Sequence, residues 1–208
     1  RLKGIVFLFI FVMVLYLENK HQFKFDFETT SLAYFNRYPN PYAKHVLSID
    51  TIESYIDNQG QLCTTRLIVK TGRLPNFIKP ILGNSLNSWI IEKTIINRHD
   101  KTLISYTSNL DHRKFIRVEE YLKYSGHQED NDNGDGRGLT NLESKVKFSS
   151  NLFGFKQKIE QWSHQKFSTN IKNSREGLQY VMMKLKQRSN GLLLQERKLK
   201  PKPPSQCD

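Results

Sequence analysis

Two periodicities divide the chain. From His45 to Ser150 apolar residues recur mostly at alternate positions, the spacing of strands that turn one face inward. From Phe153 to about Arg188 they recur at three- and four-residue steps, which marks one face of a helix. The alternating part divides into His45 to Ile56, Gln61 to Lys70, Trp89 to Asn97, Thr102 to Leu110, Phe115 to Tyr124 and Glu143 to Ser150. Asn58-Gln59-Gly60 supplies a tight turn, and the runs read as an antiparallel meander. In the helical part Phe155, Ile159 and Trp162 share a face, continued by Ile171, Leu178, Met182 and Leu185. Such a helix is too long and too one-sided to stand alone, so it is expected across the concave face of the sheet. The fold class is therefore α+β, a curved sheet closed by a long C-terminal helix.

The breaks in the pattern carry further expectations. Asp26 is a helix cap for a segment running to about Arg37, where Pro39 and Pro41 stop it. That corner holds Arg37, Lys44 and His45 on stiff backbone among Phe35, Tyr38 and Tyr42, an arrangement suited to an anionic head group on an oily body. Thr71 to Ser85 mixes Gly72, Pro75, Pro80 and Gly83 with Leu74, Phe77, Ile78, Ile81 and Leu82. A surface loop so apolar covers something or inserts into something. Ser125 to Asn141 is polar, glycine-rich and acidic, and reads as a mobile hairpin loop. Its Asn133, Asp135 and Gly136 approach a calcium-loop spacing, but Leu142 stands where a bidentate Glu is needed. Ser189 to Asp208 lacks periodicity and reads as a disordered basic tail. Ile5 to Leu17 is apolar but shorter than a membrane span requires.

Composition narrows the class. The 208 residues contain 32 Lys and Arg against 20 Asp and Glu, a net charge of +12, which draws a chain to polyanions: an acidic membrane or a nucleic acid. Cys63 and Cys207 form no redox or metal pattern, and the six histidines lack metal-ligand spacing. Asp111-His112 reads as a turn between strands, and Glu119 and Glu120 point to opposite faces. With no nucleophile and base in step, and no phosphate loop, the chain reads as a non-enzyme without cofactor. A carrier explains more. Lifting a diacyl lipid from a bilayer exposes its chains at about 0.8 kcal/mol per CH₂, on the order of 20 kcal/mol for two chains. Only an enclosed apolar cavity offsets that cost. A nucleic-acid module and a structural adaptor are the rivals; the first requires aromatics on an exposed sheet face.

Several long motifs in register resemble one family: FNRYPNPYAKHVLSIDTI from Phe35, TTRLIVKTGRLP from Thr64, WIIEKTIIN from Trp89, SNLDHRKFIRVEEY from Ser108, and KVKFSS with QWSHQKF between Lys145 and Phe167. Over roughly Met13 to Arg188 the chain resembles the PRELI-domain family, and within it the fungal Ups-type mitochondrial phosphatidic-acid carriers. The resemblance implies a START/PITP-like lipid cavity, a first strand at Val14 to Phe23 (about seven in all), and Arg1 to Val12 as an N-terminal extension. It implies a lid formed by Leu74, Pro75, Phe77, Ile78, Ile81 and Leu82. It implies head-group ligands at Arg37, His45, Lys70, Lys166 and Asn170. Arg73 stands where a relative has lysine, and Asn173 where it has a second lysine. The implied function is transfer of phosphatidic acid from outer to inner mitochondrial membrane in support of cardiolipin synthesis, with phosphatidylserine as an alternative cargo. The implied partners are an anionic membrane surface and a small intermembrane-space protein with twin Cys-x₉-Cys motifs.

Overall fold

A computed structural model of the chain describes residues 13–72, 79, 86–129, 137–151 and 156–199. Seven strands form one antiparallel sheet: β1 (Met13–Phe23), β2 (Val46–Ile56), β3 (Leu62–Gly72), β4 (Leu86–Asn97), β5 (Thr102–Asn109), β6 (Ile116–Glu129) and β7 (Arg137–Ser150). Their order is β1-β7-β6-β5-β4-β3-β2, so the first strand pairs with the last and the rest is a meander. Register shifts in β2, between Val46 and Ser48 and between Thr51 and Glu53, bend that edge strand.

Helix α1 (Phe27–Phe35) begins as expected, with Asp26 accepting the amide of Thr29 at 2.6 Å. It ends two residues before Arg37, and the Tyr38–Pro39 peptide that follows is cis. Helix α2 (Lys156–Leu199) lies on the same face of the sheet as α1. Its Leu178, Val181 and Met182 are buried with Phe23, Phe27, Ala33, Tyr34, Leu103, Tyr124 and Leu142, and this cluster is the core. Near the other end of α2, the Trp162 ring meets Phe148 of β7 at 6.4 Å. The large aromatics of the core thus face inward between sheet and helices, while Tyr16, Trp89 and Tyr121 stand exposed.

Two expectations are corrected. The basic tail expected from Ser189 is helical in its first part, because α2 continues to Leu199. Leu192, Leu193 and Leu194 with Gln195, Glu196, Arg197 and Lys198 are all good helix formers, and propensity extends the helix without an apolar period. The hairpin loop expected at Ser125 to Asn141 is mostly paired strand: β6 and β7 run in register from Ser125↔Asn141 to Glu129↔Arg137. The glycines there serve close approach to α1. A Cβ at Gly126 would stand 2.6 Å from Cβ of Phe27, and one at Gly138 would stand 2.6 Å from Cβ and 2.8 Å from Cα of Asp26. Gly138→Ala is therefore expected to cost about 1–3 kcal/mol by forcing the cap of α1 off the sheet. Thermal melts check this, and an unchanged midpoint would count against the packing role. The near-calcium residues Asn133, Asp135 and Gly136 lie outside the described residues, as do Arg1 to Val12.

Asp111-His112 lies in the β5–β6 turn, where Phe115 donates its amide to the His112 carbonyl at 2.9 Å. Glu119 and Glu120 do face opposite ways. Glu119 accepts from the Tyr106 hydroxyl at 2.8 Å and Arg117 at 2.5 Å on the outer face.

Candidate functional site

Strand register builds the site. Arg66 of β3 lies opposite Glu92 of β4, Glu92 opposite Thr107 of β5, Thr107 opposite Glu120 of β6, and Glu120 opposite Val146 of β7. Side chains in one such transverse row share a face of the sheet. This row crosses the inner face just beyond the apolar core. A parallel row nearer the core carries Thr64, Thr94, Ser105 and Ser144, an unusually polar lining for an inward face.

Glu92 anchors the row. Its carboxylate is fully buried and ion-paired with both Arg66 and Arg37. Arg66 Nε donates to Oε1 at 2.8 Å, and the Tyr34 hydroxyl donates to Oε2 at 2.8 Å. Ser105 Oγ stands 2.6 Å from the same hydroxyl. The two arginines also close the end of α1: Arg37 Nη1 donates to the Tyr34 carbonyl at 2.7 Å and Arg66 Nη1 to that of Phe35 at 3.2 Å. Their guanidiniums cover rings, Arg37 at 4.0 Å from the Tyr34 centroid and Arg66 at 4.8 Å from Phe35. Burial opposes ionisation of Glu92, but Arg37 and Arg66 outweigh it and hold the carboxyl below its usual range. Burial likewise opposes the charge on Arg37, yet Tyr34 and Glu92 raise its pKa well above normal. Two cations against one carboxylate leave the trio one positive charge in excess.

Arg37 is thus first a structural partner of Glu92, which sequence alone did not reveal. The corner after it is fixed by side chains: Asn40 donates to the Arg37 carbonyl at 2.5 Å and accepts the Tyr42 amide at 2.8 Å, with its amide group against Gly177 of α2. Tyr38 is pushed up by burial but pulled below its usual pKa by Lys70 and Arg37, which places those three groups together.

A second set lies toward the end of the sheet where β2 starts and β3 finishes. Lys70 pairs with Val46, and the Thr71 amide donates to the His45 carbonyl at 2.8 Å, which seats His45 beside Lys70. Partial burial lowers the His45 pKa, and the charges of Lys70 and Lys166 lower it further. Lys70 and Lys166 therefore both stand near His45 and disfavour its charged form. Among the described residues no carboxylate contributes to the shift at His45.

The profile of the PRELI-like family matches residues 28–188. The chain belongs to the PRELI-like family. A relative named Protein UPS1, mitochondrial, from Saccharomyces cerevisiae is 46% identical over 166 residues, 79% of this chain and 91% of the relative. A Protein ups1 homolog from Schizosaccharomyces pombe is 39% identical over 155 residues, 74% of this chain and 86% of the relative. Among solved structures, TTHA0849 from Thermus thermophilus shares the fold at TM-score 0.54 and 11% identity, covering 82% of this chain and 99% of that one.

Of the ligands expected for a PRELI-like chain, the structure brings His45, Lys70 and Lys166 together and puts Arg37 near Lys70. Asn170 is exposed one turn along α2 from Lys166, and Asn173 is half-buried. Arg73 and the lid residues Leu74, Pro75, Phe77, Ile78, Ile81 and Leu82 lie outside the described residues. Sequence reasoning missed Arg66, Glu92, Tyr34 and Glu120. A signal existed: Arg66 falls in step with Thr64 and Ile68, and Glu92 with Ile90 and Thr94, so each is a charge on the inward face of its strand.

Proposed function

We propose that the protein carries phosphatidic acid between the outer and inner mitochondrial membranes, feeding cardiolipin synthesis. Family membership and the relatives' mitochondrial names support the setting. The observation that carries the cargo assignment is the group His45, Lys70 and Lys166, which has no ion-pair partner among the described residues, next to the Arg37–Arg66–Glu92 cluster with one positive charge in excess. An anion placed among them offsets their positive charge. A phosphate monoester, with no alcohol attached, lets Lys70 and Lys166 close around it.

The acyl chains would lie against the inner face of the sheet, and basic surface would hold the carrier to anionic lipid. The edge strand β2 exposes Leu47, Ile52, Tyr55 and Ile56, an apolar edge that suits a stabilising helical partner of the twin Cys-x₉-Cys type. Lipid mass spectrometry of the purified protein, followed by vesicle-to-vesicle transfer, tests the reading. Co-purified phosphatidic acid, transferred faster than phosphatidylserine and phosphatidylcholine, is expected. No bound phospholipid, or equal transfer of all three, would overturn it.

A further inference from the structure

Glu120 has no part in the ion-paired network, yet its place is built. It stands in the same transverse row as Arg66 and Glu92, with uncharged Thr107 and Val146 on either side. Strands lie about 4.8 Å apart, so Glu120, two strands from Glu92, is about 10 Å from it across the inner face. Arg37 faces it from the corner after α1, Lys70 from β3 and Glu92 from β4, and Tyr124 stands two turns of the pleat along β6 on the same face. From α1 the Tyr34 hydroxyl enters the same row at Glu92. From α2, Lys166 reaches this end of the site through its effect on His45. Among the described residues no side chain donates a hydrogen bond to Glu120, whereas Glu92 receives three kinds. A half-buried carboxylate without a donor, beside the cations of a proposed anion site, needs a purpose.

Charge counting supplies one. Arg37, Arg66 and Lys70 bring three positive charges to this part of the inner face, and Glu92 removes one. An ionised Glu120 would remove another and would also repel a phosphate. A neutral Glu120 leaves two, the match for a phosphate dianion, and its O–H can donate to that anion.

We propose that Glu120 is a proton-linked reader of the head group: it ionises when no lipid is bound, takes up a proton as the phosphate enters, and donates a hydrogen bond to it. This rests on the anionic-lipid reading above. Burial raises the Glu120 carboxyl above its usual range, with Lys70 and Arg37 opposing and Glu92 adding, which brings its titration nearer to neutral pH. A negative head group pushes it further in the same direction. The consequence is selective. Release is favoured where the surroundings are more alkaline, and a head group carrying an ammonium in place of a second phosphate charge gains nothing from the proton.

The test is calorimetric binding of short-chain phosphatidic acid to the full chain, in buffers of different ionisation enthalpy, for the wild type and Glu120→Gln. The amide keeps the shape and can still donate, so melting temperature should hold. Wild type is expected to take up more protons per lipid than Glu120→Gln at neutral pH. The variant should bind about 3- to 10-fold tighter than wild type at pH ~8 and match it at pH ~5.5. Equal proton uptake by the two proteins, or weaker binding by the variant at every pH, would overturn the role of Glu120. Should Glu120→Gln fail to fold, wild type and His45→Gln are compared with the same short-chain phosphatidic acid, whose own titration is common to both. Proton uptake must persist in His45→Gln, and its loss would assign the proton to His45. Absence of binding by the wild type would instead sink the cargo reading.

Discussion

Glu92→Leu is expected to lower the melting temperature by about 6–20 °C, the largest stability effect in the molecule. The substitution leaves the guanidiniums of Arg37 and Arg66 without their carboxylate, and the Tyr34 hydroxyl without its acceptor. Breaking a buried pair from one side costs about 3–5 kcal/mol, because the remaining charge is left in a poor solvent. For a chain of this size each kcal/mol moves the midpoint by about 2–4 °C. The pH dependence follows from the same group. The folded pKa of Glu92 lies below its unfolded value. Its contribution is therefore complete above the ordinary carboxylate pKa, and is lost as pH falls through the folded value. Circular-dichroism melts from about pH 6 to about pH 3 should show a steeper decline for wild type than for Glu92→Gln. A Glu92→Leu midpoint within a degree or two of wild type would mean that the row contributes nothing net. The same geometry makes Arg37→Glu a poor probe of ligand binding, since it would set two carboxylates against each other in the core.

Lys70→Glu is expected to reduce vesicle-to-vesicle transfer of phosphatidic acid by about tenfold or more while leaving the melting temperature nearly unchanged. Lys70 sits between the trio and the row: it acts on His45, Tyr38 and Glu120 alike. A hydrogen bond to a charged partner contributes about 1.5–3 kcal/mol, and about 1.4 kcal/mol is a factor of ten in binding. Charge reversal adds repulsion to the lost contact. Lys70 has no ion-pair partner among the described residues, so the fold has little to lose. Lys70→Gln should fall between the two. Undiminished transfer by folded Lys70→Glu would move the head-group site elsewhere, and a collapse in stability would make Lys70 a structural residue.

Charge on an inward strand position was the most informative signal in the site. The sequence of β3 places Arg66 in step with Thr64 and Ile68, and that of β4 places Glu92 in step with Ile90 and Thr94. Neither strand says that the two residues meet. Arg37 shows the converse. Its proline corner was legible, because proline constrains its own backbone and that of the residue before it. Its partner was not, because Glu92 lies 55 positions away. The glycine-rich stretch around Gly126 and Gly138 misled for a related reason. Glycine marks turns when read locally, but here it admits the start of α1 against the sheet.

Local chemistry, then, was determined by the sequence alone: the alternation that makes strands, the helical face of α2, the Asp26 cap, the proline stop and the excess of basic charge. Each depends on residues a few positions apart, and such interactions form wherever the chain goes. Only the tertiary structure decided which charges neutralise one another and which remain to meet a ligand. Register across four strands gathers Arg66, Glu92 and Glu120 into one row, and the packing of α2 brings Lys166 to His45. Electrostatic energy depends on distance and burial, and neither is written in the order of the residues.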